Sequence, residues 1–432
     1  MKANVIFKDH KIITVFIGIN LMYHTLYGTL SIFTQNMLLR SLKEIFTLLL
    51  IFYILFDFIR TKDKVAKRER RFVLLVLLSL MFIGSIGLFN HNNISSYIYG
   101  IKITLIPIFS IFIGMYIKKY NVNLLKVFIV IYVLIISGWI IQNSLGLDFL
   151  LSMGYEYGVN VKNFNEQLRL PSLVGTPDGY AFLLSITGIF IQISLKHRKR
   201  LSFIFAIVTL IFLIQATIRS ALTLWLVFQV FSYIQKIITT KSKKNFLYMG
   251  IGCLFLSILP LLWVGLVRNS ELTGTDSLND RLSHWWGNLP PIYTIEGIIG
   301  SGLGAVGSAS MRLSSLGIQS TEYAVDNQYF ALYEQVGIVG CIIMFLFLAL
   351  TLKAIVESKN SFNLNVIPLV LATLFSSFFT NVLELYPFNI MLFVIIGSSI
   401  FPYQIQSYPS FKNLKAYNTN FEIYNPVRRK SI

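Results

Sequence analysis

The segment Leu201–Ile238 reads LSFIFAIVTLIFLIQATIRSALTLWLVFQVFSYIQKII, and its only formal charges are Arg219 and Lys236. As one continuous helix these residues, at 1.5 Å rise each, would run about 57 Å, well beyond a hydrocarbon core of roughly 30 Å. The short polar stretch Ala216-Thr217-Ile218-Arg219-Ser220 therefore marks a turn between two spanning helices. Working outward, similar apolar runs cover Ile12–Phe33, Glu44–Ile59, Phe72–Phe89, Ile98–Ile117, Leu124–Gln142 and Gly179–Leu195. Beyond the paired segment lie Phe246–Val267, Val336–Ile355, Val366–Thr380 and Pro387–Tyr403. The expected fold is all-α: a polytopic integral membrane protein of about 12 transmembrane helices, with residues 1–432 as a single membrane domain. No internal repeat is evident.

Composition agrees. Hydrophobic residues make up 55% of the chain and charged residues 13%, against roughly 25% charged in soluble domains. The net charge of +18 raises nucleic-acid binding, but the cations are distributed in the wrong way for it. They gather in short segments on alternate connections: Arg60–Arg71, Lys118-Lys119, Lys196–Arg200, Lys236–Lys244 and the tail at 404–432. That is the positive-inside pattern, not one basic soluble face, and no nucleic-acid partner is expected. With twelve helices all of these segments fall on the side of Lys2, Lys8 and Lys11, so both termini are expected in the cytoplasm. Ile12–Phe33 reads as a retained first helix, because no small-residue cleavage site follows a short apolar core. Cys253 and Cys341 sit inside apolar runs and read as small buried hydrophobes.

Two long connections then face outward, Asn143–Asp178 and Arg268–Gln335 (loops 143–178 and 268–335). Connections of this length in a compact protein are usually functional. The second carries Trp285-Trp286 and a glycine cluster and is expected to be partly helical and membrane-lining. The outward side holds Arg40, Lys43, Lys162, Arg169, Arg219, Arg268, Arg281 and Arg312, with Lys102 just inside a helix. Arginine offers a rigid fork suited to phosphate or carboxylate. Arg40, Lys43 and Lys162 stand near apolar ends or in polar loop, as phospholipid headgroup contacts would. Arg219 differs, because a cation in so short a turn lies at or below the membrane surface. Arg169 precedes Leu170-Pro171-Ser172-Leu173-Val174-Gly175-Thr176-Pro177-Asp178-Gly179, whose Gly and Pro residues allow tight backbone near a ligand. His24 and Lys102 are the charged or titratable groups that stand well inside apolar runs.

Gly302-Leu303-Gly304-Ala305-Val306-Gly307 matches G-x-G-x-x-G. It lies in an outward loop without the strand and helix of a dinucleotide fold, so its glycines read as turn and close-packing positions. The five histidines show no metal-ligand spacing, and no metal or cofactor is expected. His284 is a solvated loop histidine that could act on a substrate. Asp326 leads into Asn327-Gln328-Tyr329-Phe330. It could cap the following helix, or orient or deprotonate a sugar hydroxyl at the membrane surface.

At these residues the chain resembles the bacterial O-antigen ligase and repeat-unit polymerase family. The resemblance rests on Arg169 with its Gly/Pro run and on Thr217-Ile218-Arg219-Ser220-Ala221, similar to a Ser-Arg-Gly-like turn. It also rests on Arg281 to Gly304 followed by Asp326-Asn327-Gln328-Tyr329 and Glu334-Gln335-Val336-Gly337-Ile338-Val339-Gly340. Where the ligases carry a histidine, this chain has Asp326, which favours a polymerase of capsule, exopolysaccharide or O-antigen repeats. The resemblance implies oligosaccharide on undecaprenyl diphosphate as substrate, at the outer face of the bacterial cytoplasmic membrane. It implies metal-independent glycosyl transfer, with Arg169, Arg219 and Arg281 on the diphosphate. Asp326, Arg219 and Arg281 would be catalytic, with His284, Glu322 and Glu334 as alternative bases. Membrane lipid, a chain-length regulator and a flippase are the partners compatible with that role. A ligase of the same fold, and a lipid-linked oligosaccharide flippase or other transporter, are the alternatives. A transporter would be expected to show repeats and broken helices at the midplane.

Overall fold

The computed structural model describes residues 2–34, 37–60, 66–89, 94–120, 122–164, 167–239, 289–307, 325–358 and 364–400. Helices dominate: α1 (Lys2–Phe33), α2 (Met37–Arg60), α3 (Ala66–Phe89), α4 (Ile94–Phe109), α5 (Ile111–Lys119), α6 (Leu124–Leu145) and the short α7 (Leu147–Ser152). A two-stranded antiparallel hairpin follows, β1 (Lys162–Phe164) with β2 (Gln167–Arg169), in which Lys162 faces Arg169. Then come α8 (Pro177–Ser194), α9 (Lys199–Ala216), α10 (Arg219–Thr239), α11 (Ile295–Ile299), α12 (Gln328–Glu357), α13 (Val366–Ser376) and α14 (Phe388–Ser399).

The segment 201–238 is two helices, with Thr217 in the left-handed region at φ 56° between them. Among the described residues five helices are long and apolar enough to cross a membrane: Ile12–Phe33, Ile94–Lys119, Leu124–Leu145, Lys199–Ala216 and Gln328–Glu357. Together with the composition they mark an all-α membrane protein. The expected span Phe246–Val267 lies outside the described residues. Ile94–Lys119 is interrupted at Ser110, three residues after Pro107, which lacks the N–H that the helix needs. Gln328–Glu357 is interrupted at Gly337, which has φ 61° and ψ −173°.

Burial is distributed as lipid solvation requires. From Gly179 to Ile193 every residue of α8 is buried, and so is every residue of α14. These helices form the centre, wrapped by others. The outer helices turn large apolar side chains outward, such as Phe52, Met81, Phe203 and Val230. A soluble protein rarely leaves so much contiguous apolar surface uncovered. Close approach inside the bundle uses small residues. A Cβ on Gly114 of α5 would sit 2.1 Å from the Val394 carbonyl oxygen of α14, and one on Gly397 would sit 2.0 Å from that of Ile111.

The connections collect at two ends. At one end Lys119 pairs with Asp57 at 2.7 Å, Lys196 bonds Asn365 at 3.1 Å and Gln235 bonds the Leu364 carbonyl at 3.0 Å. Lys196, Arg198, Lys199, Arg200 and Lys236 surround this end. The burial of Lys196, and then the charge of Lys236, lower its pKa. At the opposite end Gln142 donates to the Ser172 carbonyl at 2.8 Å, Ser96 to that of Gly304 at 2.6 Å and Gln328 N–H to that of Ser377 at 2.9 Å. This second end carries the sequence motifs.

Candidate functional site

Four of the expected site residues, Arg169, Arg219, Asp326 and Glu334, fall at this end. Arg169 closes β2 and reaches the turn between α9 and α10. Its Nε donates to Thr217 Oγ1 and its Nη2 to the Thr217 carbonyl oxygen, both at 3.0 Å. Thr217 is β-branched, and a positive φ strains it. The two bonds from Arg169 hold it there, and so fix the start of α10. Arg219, the first residue of α10, is exposed. The N–H groups at a helix N-terminus carry partial positive charge, so a guanidinium there adds to a place that favours anions. Lys162, expected as a headgroup contact, lies 3.4 Å from Asp178, both side chains remaining exposed.

Asp326 is half-buried one residue before the cap of α12. Capping falls to Asn327, whose side-chain oxygen accepts from the N–H groups of Tyr329 at 2.9 Å and Phe330 at 3.2 Å. The helix-capping reading of Asp326 is thereby corrected. Asn327 has the extended backbone of a cap, φ −132° and ψ 116°, and its oxygen reaches the second and third helical N–H groups. Asp326 is left outside the helix.

One short segment ties these pieces together. At the end of α13, Ser376 Oγ donates to the Ser220 carbonyl at 3.2 Å, Gln328 N–H donates to the Ser377 carbonyl at 2.9 Å and Asn327 Nδ2 donates to the Phe378 carbonyl at 3.2 Å. Three consecutive residues thus hold the residue after Arg219 and the residues after Asp326. Tyr329 adds a bond to the Leu374 carbonyl at 2.8 Å and a ring contact with Phe378, and Asn381 donates to the Val325 carbonyl.

The glycine stretch 302–307 is a packing device. Gly304 has φ 84°, where a side chain is strained, and an added Cβ would lie 2.3 Å from the Ser96 carbonyl oxygen. Its N–H donates at 3.0 Å to buried Gln335 of α12. Gln335 also reaches Glu384, a buried carboxylate in the turn before α14, at 3.4 Å. Glu334 is buried too, and its carbonyl accepts from Ser301 N–H at 2.8 Å. Arg281, His284 and Glu322 lie outside the described residues.

A second polar group stands beside this one and reads differently from expectation. Lys43 is buried, with its ammonium 3.1 Å from the Tyr27 ring centroid and 3.8 Å from that of Tyr386. The headgroup-contact reading of Lys43 is corrected, because two aromatic faces and Glu44, 3.6 Å away, hold the cation inside. His24 is also buried. Its Nε2 meets Thr47 Oγ1 at 2.7 Å, while Thr47 gives its own proton to the Lys43 carbonyl at 2.7 Å. Thr47 therefore accepts from His24 Nε2–H, and His24 Nδ1 accepts from the Tyr386 hydroxyl. Neither Glu384 nor Tyr386 stands out in the sequence. The signal was one carboxylate in a short break between apolar runs, the same kind of signal that marks Arg219.

No protein-family model matches the chain, and no curated protein matches it significantly.

Proposed function

We propose that the chain is a membrane glycosyltransferase that polymerises oligosaccharide repeat units carried on undecaprenyl diphosphate. The reaction runs on the outer face of the bacterial cytoplasmic membrane, with both termini in the cytoplasm, and the product is capsule, exopolysaccharide or O-antigen. The observation that carries this reading is the Ser376–Phe378 segment, bonded to Ser220 on one side and to Asn327 and Gln328 on the other. It ties the start of the helix that begins with Arg219 and the cap that follows Asp326 to one short segment.

The chemistry needs two things. A hydroxyl oxygen of one lipid-linked unit attacks the anomeric carbon of another chain, and the bond from that carbon to the lipid diphosphate breaks. The electron pair leaves with the diphosphate, where Arg219 at the α10 N-terminus, joined by Arg281, stabilises the growing charge. Arg169 serves by fixing the turn that presents Arg219. The hydroxyl proton passes to Asp326, the carboxylate beside the cap of α12. Basic residues at the opposite end suit a cytoplasmic face.

The test is the lipid-linked glycan pool of a strain that lacks the protein. Single repeat units accumulating on the outer face are expected. Units trapped inside would indicate a flippase, and complete polymer retained on the lipid carrier would indicate a ligase.

A further inference from the structure

The short helix α11 and the turn before it leave four large apolar side chains uncovered. Tyr293 is 86% exposed and Ile295 69%, and Ile292 and Ile298 are exposed as well. A contiguous apolar surface of this kind marks a contact with something other than water. Its position on α12 indicates what. A Cβ on Gly337 would lie 2.4 Å from the Ile298 carbonyl oxygen, so α11 is level with the break in α12. Just beyond that break Ile338, Ile342, Phe345, Leu346 and Leu350 are exposed. Their spacing places them on one helical face, the face that α12 turns to lipid. The apolar surface of α11 continues that lipid contact past the break.

Depth agrees. From Ile338 to Leu350 the sequence has no charged or amide side chain, whereas the part of α12 before Gly337 carries Gln328, Glu334 and Gln335. The change from apolar to polar along α12 therefore falls at the level of α11. Tyrosine suits this level, with an apolar ring and a hydroxyl that reaches water. The backbone is prepared for a dry surrounding. Thr294 N–H donates to the Pro291 carbonyl at 3.0 Å, Ile298 N–H to that of Thr294 at 3.0 Å and Gly300 N–H to that of Glu296 at 2.7 Å, while Thr294 Oγ1 accepts from Gly297 N–H at 3.0 Å. A parallel case stands at the end of α6, where Phe149 and Met153 of the following turn, four residues apart, are exposed.

We propose that residues 292–298 are an in-plane membrane anchor, with Ile292, Ile295 and Ile298 in the acyl-chain edge of the bilayer and Glu296 turned to water. The occupant is the bilayer itself, without selection among headgroups, because residues 289–300 contain no lysine or arginine to bind a phosphate. The anchor is fastened to the part of α12 that follows Asp326. Tyr333 donates its hydroxyl proton to the Pro290 carbonyl at 2.7 Å, and a Cβ on Gly300 would lie 2.4 Å from the Gln335 carbonyl oxygen. It thereby holds the Asn327 cap at the membrane surface. Only the membrane fold is needed for this placement; neither the reaction nor the direction of insertion enters it.

The experiment is site-directed spin labelling of the full-length chain, with Cys253 and Cys341 replaced by alanine. Ile295→Cys, Glu296→Cys and Ile342→Cys are labelled singly. Each is reconstituted in vesicles of phosphatidylcholine alone and of phosphatidylcholine mixed with phosphatidylglycerol. Collision with oxygen, which concentrates in lipid, is compared with collision with a water-soluble nickel chelate. The oxygen-to-nickel ratio at 295 is expected to be several-fold higher than at 296, to approach that at 342 and to be the same in both vesicles. Equal ratios at 295 and 296 overturn the proposal. So does exclusion of both reagents from 295, which would mean that a second copy or another protein surface covers it. A lipid-like ratio at 295 only with phosphatidylglycerol present would make the contact a headgroup interaction and overturn the acyl-chain assignment. Should the label at 295 prevent folding, Tyr293→Cys is held to the same comparison.

Discussion

Arg169 and Thr217 stand 48 residues apart in the chain and share two hydrogen bonds of 3.0 Å, one to the threonine hydroxyl and one to its carbonyl. The pair turns a strained residue into a fixed corner. If that is the main service of Arg169, Arg169→Ala should lower stability by about 1.5–3 kcal/mol, the range for hydrogen bonds from a charged group. Adding Thr217→Gly, which accepts a positive φ without strain, should recover part of the loss. Thermal midpoints of the single and double variants in detergent would check this. No recovery would mean that Arg169 acts elsewhere.

Arg219 should behave differently. Arg219→Lys keeps the charge but loses the two-pronged donor. Inserted protein should remain at normal levels while polymer formation falls about 10²–10³-fold, the range for removing one donor to a developing anion. Near-normal chain length on a gel would remove Arg219 from the diphosphate.

Neighbouring residues separate capping from chemistry. Asn327→Ala removes the acceptor for two helical N–H groups and should lower stability by about 0.5–2 kcal/mol. Asp326→Asn should leave stability unchanged and reduce polymerisation by about 10²–10⁴-fold, as expected for loss of a general base. Long polymer from an Asp326→Asn strain would hand the role to Glu334, Glu322 or His284.

The contact between α4 and the glycine stretch predicts a structural failure. A Cβ on Gly100 would lie 2.3 Å from the Leu303 carbonyl carbon and 2.4 Å from the Gly304 nitrogen. Both neighbours are backbone and cannot rotate away. Gly100→Ala should cost about 1–3 kcal/mol or more, seen as reduced folded yield. An unchanged melting curve would contradict this packing.

Orientation can be read with single cysteines. Labels at residues 160 and 310 should react with impermeant reagent from outside, and those at 65, 198 and 420 only after permeabilisation. Protection at 160 would reverse the functional argument.

Much of the helical layout was legible in the sequence, because in lipid each segment must satisfy its own backbone and so declares itself as an apolar run. The turn at 216–220 was legible for the same reason, as the one polar break in a segment too long for a single span. The glycines at 302–307 were legible as close-packing positions. The partners were not. Lys43 looks like an interfacial cation until Tyr27, Glu44 and Tyr386 close on it from three separate segments. Asp326 and Asn327 are both good caps, and only the register of α12 chooses between them. Arg169 was legible as a functional candidate, but its two bonds to Thr217 were not, because a positive φ leaves no mark in composition.

The break at Gly337 has a mechanical consequence. The part of α12 beyond it, from Ile338 to Glu357, has at 1.5 Å per residue a length of about 30 Å, matched to a typical hydrocarbon core. The part before it is fastened through Asn327 and Gln328 to the end of α13. A thicker or thinner bilayer is then met by tilting the longer part about Gly337, while Asp326 keeps its distance from the α10 turn. Catalysis reconstituted in lipids of different acyl length should accordingly vary little, because the mismatch is taken up beyond the break.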